Sequence, residues 1–145
     1  MKTIGRNILA VLLGGFIGGL VNMGLIIGGS SVIPAPAGVD VTSTESLAAS
    51  MNLFEPHHFL FPFLAHALGT ATGAVIAHMI AASHKQIFAY LIGVFFLLGG
   101  IANAFMIPAP EWFIAADLLL AYLPMAALGS LVAVRLDSFK AAEQS

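Results

Sequence analysis

Four long apolar runs dominate the sequence and limit what the chain can fold into. They cover residues 8–27, 59–82, 87–107 and 112–134. Each approaches or exceeds the roughly 20 residues that an α-helix needs to cross a hydrocarbon core about 30 Å thick. The runs lack the alternation of apolar and polar residues that marks the strands of a membrane barrel. The pattern predicts one integral membrane domain, residues 1–145, that is all-α with four transmembrane helices.

The composition agrees with a membrane location. Of the 145 residues, 59% are hydrophobic and only 8% are charged, whereas charged residues make up about 25% of a soluble domain. The net charge is -2, so the chain lacks the basic surface that a nucleic-acid partner requires. There is no cysteine, which excludes disulfides, thiol catalysis and thiolate metal sites. The partner that the composition predicts is the lipid bilayer.

Two short connections indicate how the helices are arranged. The second and third runs are joined by "SHKQ" at 83–86, and the third and fourth by "PAPE" at 108–111. Connections this short force neighbouring helices to run antiparallel, which predicts a four-helix bundle. Pro124 lies inside the fourth run, where it removes one helical hydrogen bond and frees the carbonyl of Leu120, so we expect a kink there.

The connection at 28–58 is much longer and contains a helix signal. Thr42-x-x-Glu45 matches a capping box that opens a helix. Three apolar residues downstream share one face: Leu47, Met51 and Phe54. We expect a short amphipathic helix that lies on the outer membrane surface or caps the bundle and ends before Pro56. An ordered loop without a helix is the alternative that so short a segment leaves open.

The basic residues all fall on one side of the predicted membrane. They are Lys2, Arg6, Lys85, Arg135 and Lys140. Because basic residues concentrate in cytoplasmic segments, both termini are expected in the cytoplasm and residues 28–58 outside. Residues 1–37 are not expected to be a cleaved signal peptide, because the apolar run is too long and Pro36 lies inside the A-x-A-like site.

Small residues recur at the four-residue spacing that brings helices together in lipid. In the first run Gly14 and Gly18 form one GxxxG pair, and Gly15 and Gly19 form a second. The second run carries a ridge of five: Ala65, Gly69, Gly73, Ala77 and Ala81. Because lipid supplies no hydrophobic drive between helices, small residues are what permit close packing. Packing within the chain accounts for them, and a homodimer or a larger membrane complex is the alternative.

Four strongly polar side chains lie inside the runs and form the candidate site. They are Asn22, His66, Asn103 and Asp117, one in each run and all at similar depth in the outer half. Each lies three or four residues from a small residue of its own helix, and residues at those offsets share a face. We expect the four to point inward as one polar layer that binds or moves a small solute, a proton or an ion. The alternative is a structural layer that only fixes the register of the helices.

Asp117 is the most informative of these residues. A charged side chain at the centre of a membrane helix costs about 2.5–3.5 kcal/mol, so intramembrane acids normally have a partner. No Lys or Arg lies at the depth of Asp117, which leaves His66 as the only candidate cation. Either the two residues pair, or Asp117 stays protonated.

Further side chains of the metal-ligand type lie where the candidate site would open. Glu55, His57 and His58 precede the second run, and Glu111 precedes the fourth. Their N and O atoms suit zinc or a similar ion, although adjacent side chains on a helix diverge. The sequence has no H-E-x-x-H, no G-x-S-x-G, no Walker loop and no dinucleotide fingerprint. We therefore expect no cofactor, and a metal-dependent membrane enzyme is the least supported function.

Two stretches carry a resemblance: "FEPHHFLFPFLAHALGT" at 54–70 and "GVFFLLGGIANAFMIPAPEWF" at 93–113. With the long loop before the second run, they resemble short bacterial four-helix inner-membrane proteins to which no function is assigned. The resemblance implies a location in the bacterial inner membrane and nothing about chemistry. The sequence therefore predicts a small membrane protein that binds or moves a solute, with a structural or accessory subunit as the alternative.

Overall fold

The computed structural model describes residues 2–143, and the regular segments of this part of the chain are all helical. They include α1 (Lys2–Val32), α2 (Thr44–Ala49), α3 (Leu60–Ile80), α4 (Lys85–Met106), α5 (Glu111–Leu120) and α6 (Leu123–Glu143). Two short 3-10 helices, Met51–Leu53 and Pro56–Phe59, lie between α2 and α3. No strand occurs between residues 2 and 143, which confirms the prediction that the chain is all-α.

Within residues 2–143, four segments are long and apolar enough to cross a membrane, as the sequence predicted. They are Lys2–Val32, Pro56–Ile80, Lys85–Met106 and Glu111–Glu143. The first is a single helix of 31 residues, or about 46 Å at 1.5 Å per residue. It therefore extends beyond its apolar run at both ends. Its outward face is strongly apolar, and the Leu12 and Phe16 side chains there are largely exposed.

The fourth apolar run forms two helices rather than one kinked helix. α5 ends at Leu120 and α6 begins at Leu123, with Ala121 and Tyr122 between them. Pro124 is the second residue of α6, a position where a missing N–H costs little. In a continuous helix its ring would meet the carbonyl of Leu120, so one helix ends and another begins. The break is sharper than the predicted kink, and it takes Tyr122 out of the helical pattern.

α3 is the helix on which the others pack, and it contacts α1, α4 and α6. Glycines let the backbones of α1 and α3 touch. A Cβ atom placed on Gly18 would lie 2.6 Å from the carbonyl oxygen of Gly69, and one placed on Gly73 would lie 2.6 Å from that of Gly14. No real side chain tolerates such distances, so the two helices can be this close only because all four residues are glycine.

The second glycine pair of α1 has a different environment. A Cβ atom placed on Gly15 or on Gly19 would meet nothing within 4 Å. Packing within the chain therefore explains the pair formed by Gly14 and Gly18, and it does not explain the neighbouring pair. The homodimer or larger complex stays a prediction, and Gly15 and Gly19 are the residues that would serve it.

One end of the bundle, here called the termini end, is held by hydrogen bonds between segments. Arg6 donates two of them to the carbonyl of Ile80, at 3.2 and 3.0 Å. Lys85 at the start of α4 donates to Asp137 of α6 at 2.6 Å. Slightly deeper, His78 of α3 and Ser130 of α6 are hydrogen-bonded at 3.0 Å. These contacts give the short turn between α3 and α4 a fixed position against α1 and α6.

The opposite end, here called the loop end, carries residues 33–59. A short helix, α2, is present in this segment, but its cap is Ser43, whose hydroxyl accepts from the N–H of Ser46 at 3.3 Å. Thr42, the expected cap, donates instead to Asp40 from its N–H and its hydroxyl, and these bonds hold the pKa of the Asp40 carboxyl below its usual range. α2 also ends earlier than expected, and Pro56 opens a 3-10 helix.

Candidate functional site

A cavity of about 350 Å³ lies at the loop end of the bundle. Much of its wall is aliphatic or aromatic: Ile26, Ile33, Val41, Leu47, Met51, Phe54, Phe59, Phe61, Phe113, Ile114 and Leu118. The strongly polar lining residues are fewer: Ser30, His58, His66, Asn103 and Asp117. Small-molecule sites typically measure roughly 300–1,000 Å³ and combine apolar walls with a few placed polar groups. The cavity therefore has the size and the lining of a site for a small ligand.

The His66–Asp117 pair lies at the base of this cavity. His66 Nδ1 is 2.8 Å from Asp117 Oδ1 and 3.0 Å from Oδ2. The side chains are 18% and 7% exposed, so the pair is largely withdrawn from solvent. His66 comes from the second turn of α3 and Asp117 from α5, and their contact joins those two helices. The pairing that the sequence left open as one of two alternatives is the arrangement found.

Tyr122 completes the group, and sequence reasoning missed it. Its hydroxyl donates to Asp117 Oδ2 at 2.8 Å, and its ring stacks on His66 with centroids 5.7 Å apart. In a continuous helix, residues five apart would lie about 140° apart around the axis. Helical periodicity therefore gave no reason to expect a contact between Tyr122 and Asp117. The break before Pro124 brings them together. Gly100 of α4 leaves room for the Tyr122 side chain, because a Cβ atom on Gly100 would collide with the Tyr122 hydroxyl.

The second ring nitrogen of His66 is free. Nδ1 is held by Asp117, whereas Nε2 has no hydrogen-bond partner among residues 2–143. Every buried side-chain N or O atom in this range has a partner, so Nε2 is accessible, and His66 lines the cavity. With its proton on Nδ1, a neutral imidazole presents Nε2 as an acceptor. An acid that fixes this tautomer is the arrangement by which proteins orient a histidine that exchanges a proton.

The two asparagines of the predicted layer have different places. Asn103 lines the same cavity as His66 and Asp117, and its exposed side chain makes no hydrogen bond within the described chain. Asn22 is not part of the cavity wall. It packs instead against Gly69, where a Cβ atom would lie 3.0 Å from Asn22 Cβ. The structure therefore brings three of the four together, and the close approach of α1 to α3 holds Asn22 in a helix interface.

Below the site the bundle is closed. Ala67, Ala121 and Tyr122 form a buried cluster there. Five partly buried side chains pack against it: Phe63, Phe96, Leu97, Leu118 and Met125. The cavity thus has a mouth at the loop end and a floor at His66, Gly100 and Asp117.

The predicted metal ligands are not arranged as a metal site. His57 Nδ1 lies 3.4 Å from Glu55 Oε2, but His58 Nδ1 accepts from the backbone N–H of Glu55 at 2.9 Å. Glu111 is exposed at the start of α5. Across residues 2–143 no three His, Asp or Glu side chains are grouped so that they could hold a metal ion. The metal hypothesis gains no support from this geometry, and His58 alone of the four lines the cavity.

The chain matches no protein-family model, no curated protein and no solved structure.

Proposed function

We propose that the protein crosses the bacterial inner membrane four times as an antiparallel bundle, with both termini in the cytoplasm, and binds a small ligand in the loop-end cavity from the outer side. The distribution of the basic residues supports this orientation, because the termini end carries Arg6 and Lys85. The contacts of Gly18 with Gly69 and of Gly14 with Gly73 support the antiparallel order of α1 and α3.

The free Nε2 atom of His66 is the observation that carries the proposed binding function. His66 holds its helix interface through Nδ1 alone. Nε2 is left accessible in a residue that lines a cavity of about 350 Å³. Asp117 and Tyr122 fix the ring, so Nε2 has one orientation for a ligand. His66 can accept or donate a proton at this atom, which would link ligand binding to protonation.

The closed floor favours binding over passage through an open pore. Movement of a solute past Tyr122 would require the break between α5 and α6 to change shape, because the Tyr122 ring is 1% exposed and packed among other side chains. A ligand-binding protein needs no such step. A carrier would need this change of shape, and the break between α5 and α6 is the place in the bundle where it could occur.

A structural or accessory subunit is the second candidate, and one observation favours it. Asp117 accepts from both His66 and Tyr122, so the acid has partners without any ligand. In that case the group would fix the register of α3 against α5 and against the break that precedes α6. The two candidates differ in one respect: only the binding function requires the cavity to be open.

We expect the substitution Ala104→Phe to abolish ligand binding while the protein stays folded. Ala104 is half-buried and lines the cavity, so a phenyl group there occupies the ligand space. Ala102→Phe is the matched control, because Ala102 is exposed on the same helix and is not part of the wall. The measurement is a thermal-shift screen of neutral, acidic and basic small molecules. A ligand at 100 times its Kd adds about 2.7 kcal/mol of stability, a readable shift.

The binding function predicts at least one compound that stabilises the wild type and Ala102→Phe but not Ala104→Phe. Compounds that stabilise all three proteins equally act elsewhere. If every class of compound behaves in that way, the cavity is not a binding site and the structural role is favoured.

We expect single cysteines to report opposite sides of the membrane at the two ends of the bundle. The chain has no cysteine of its own, so Ala37→Cys and Ala141→Cys each provide one label site, both exposed. A membrane-impermeant maleimide applied to intact cells should label Ala37→Cys alone, and both should react after permeabilisation. Labelling of Ala141→Cys from outside the intact cell would reverse the proposed orientation.

A further inference from the structure

The charges at the cavity limit what its ligand can be. Among residues 2–143, the titratable side chains in the wall are His58, His66 and Asp117, and no Lys or Arg of this range lines it. The Asp117 carboxyl already accepts hydrogen bonds from His66 and from Tyr122. An anionic ligand would therefore meet no Lys or Arg side chain there, and a cationic ligand would meet a carboxyl whose oxygens already accept hydrogen bonds. Burying an unpaired charge is costly, so the cavity favours an uncharged molecule.

The free polar atoms in the wall define which group the molecule needs. Ser30 already donates to the carbonyl of Ile27 at 2.7 Å, and His58 Nδ1 is held by the N–H of Glu55. His66 Nε2 and the amide of the exposed Asn103 are two wall groups without a hydrogen-bond partner among residues 2–143. Nε2 of the neutral ring needs a donor, whereas the amide offers both a donor and an acceptor. A hydroxyl satisfies both, because it donates one hydrogen bond and accepts another.

The remainder of the wall requires an apolar body. Side chains from α1, from α3 and from α5 surround the polar base with hydrocarbon and aromatic surface, as Ile26, Phe61 and Phe113 illustrate. Phe113 is itself almost fully buried, with its ring 4.7 Å from that of Phe59. A strongly hydrated solute would lose its water shell against this surface without replacing the lost hydrogen bonds.

We infer that the ligand of the loop-end cavity is a neutral lipophilic alcohol or phenol, whose hydroxyl donates to His66 Nε2 and accepts from the Asn103 amide while its apolar body fills the outer cavity. The inference rests on the proposed binding function and specifies the chemical class of its ligand. Such molecules partition into bilayers, so a membrane protein meets them at high local concentration. A hydroxyl on Nε2 also gives the His66–Asp117 pair a role beyond holding α3 against α5.

Thymol tests the inference, because it is a small neutral phenol with an apolar body. Its methyl ether keeps the body and removes the donor, and cumenesulfonate replaces the hydroxyl with a fixed negative charge. Binding is measured by calorimetry on the full chain in lipid nanodiscs, with Ala104→Phe nanodiscs as the blank for partition into lipid. We expect thymol to bind about threefold to tenfold more tightly than its ether, the equivalent of one hydrogen bond, and cumenesulfonate not to bind.

Two variants assign the hydroxyl to its partners. His66→Phe should remove the preference for thymol over its ether and leave the binding of the ether in place. Asn103→Leu should weaken thymol binding by about threefold, and its folding is not at risk, because the exposed Asn103 side chain makes no hydrogen bond in the described chain. Equal affinity of the wild type for thymol and its ether, or no binding of either, would overturn the inferred ligand class. If cumenesulfonate or another charged compound binds the wild type but not Ala104→Phe, the class is wrong and the proposed binding function stands.

Discussion

The substitution Gly18→Val is expected to destabilise the protein by about 1–3 kcal/mol, whereas Gly19→Val, one residue further along, should leave the stability nearly unchanged. A Cβ atom on Gly18 would lie 2.6 Å from the carbonyl oxygen of Gly69 and 3.1 Å from the ring of Phe96. Valine adds two further methyl groups at that point. The obstacle is backbone rather than a flexible side chain, so α1 and α3 must separate, and the cost should fall at the upper end of the range.

Gly19→Val is a matched control because only the environment differs. The same side chain enters the same helix, but nothing lies within 4 Å of a Cβ atom at Gly19. Valine also has a better helix propensity than glycine, by about 0.4 kcal/mol, so a slight stabilisation is expected. Reversible unfolding in mixed micelles, followed by circular dichroism, measures both. Equal losses for the two variants would mean that α1 does not pack on α3 through Gly18, or that Gly19 lies in an interface with another chain. The oligomeric state of wild type and Gly19→Val decides between these two explanations.

The two glycine pairs of α1 show how much of the helix packing could be predicted from the sequence. The GxxxG spacing identifies Gly14 with Gly18 and Gly15 with Gly19 equally well. The spacing shows that small residues share a face of α1, but not which helix that face contacts. The rotation of α1 about its axis depends on where the glycines of α3 lie in space. The four apolar segments were predictable because length and hydropathy are properties of each segment alone. The packing face was not, because it belongs to two helices at once.

The candidate site was also predictable only in part. The absence of Lys and Arg at the depth of Asp117 left His66 as its only candidate cation, and the structure joins them. Tyr122 could not be predicted as a partner, because the helical pattern holds only in an unbroken helix. Pro124 indicated a disturbance, yet the size of the break, and therefore the direction of the Tyr122 ring, depends on packing against Gly100.

Asp117→Leu is expected to cause the second large loss of stability, about 2–4 kcal/mol, because it removes the shared acceptor of His66 and Tyr122. A buried donor without an acceptor costs about 1–3 kcal/mol. The Tyr122 hydroxyl bears this cost in full, since the residue is 1% exposed. His66 bears less of it, since its side chain is 18% exposed. Side-chain hydrogen bonds within membranes average only about 0.6 kcal/mol by double-mutant cycles, which places the expected loss below the sum of two full penalties.

Tyr122→Phe should destabilise the wild type but stabilise the Asp117→Leu variant. This reversal of sign is the most specific test of the group formed by His66, Asp117 and Tyr122. In the wild type, Tyr122→Phe removes one hydrogen bond to Asp117 and should cost about 0.5–1.5 kcal/mol. In Asp117→Leu the hydroxyl has already lost its acceptor, so removing it should restore stability by about 1 kcal/mol. Tyr90→Phe is the control, because Tyr90 is 42% exposed, and it should change little in either background.

A double-mutant cycle with His66→Gln and Asp117→Leu measures the interaction energy between His66 and Asp117. If the losses of Tyr122→Phe and Asp117→Leu add, and those of His66→Gln and Asp117→Leu also add, the three side chains do not act as a unit. Asp117 would then not fix the ring of His66, and the free Nε2 atom would lose the orientation on which the binding function depends. A reversed sign for Tyr122→Phe, with a non-additive His66→Gln, would instead establish that one carboxyl holds both partners at the base of the cavity.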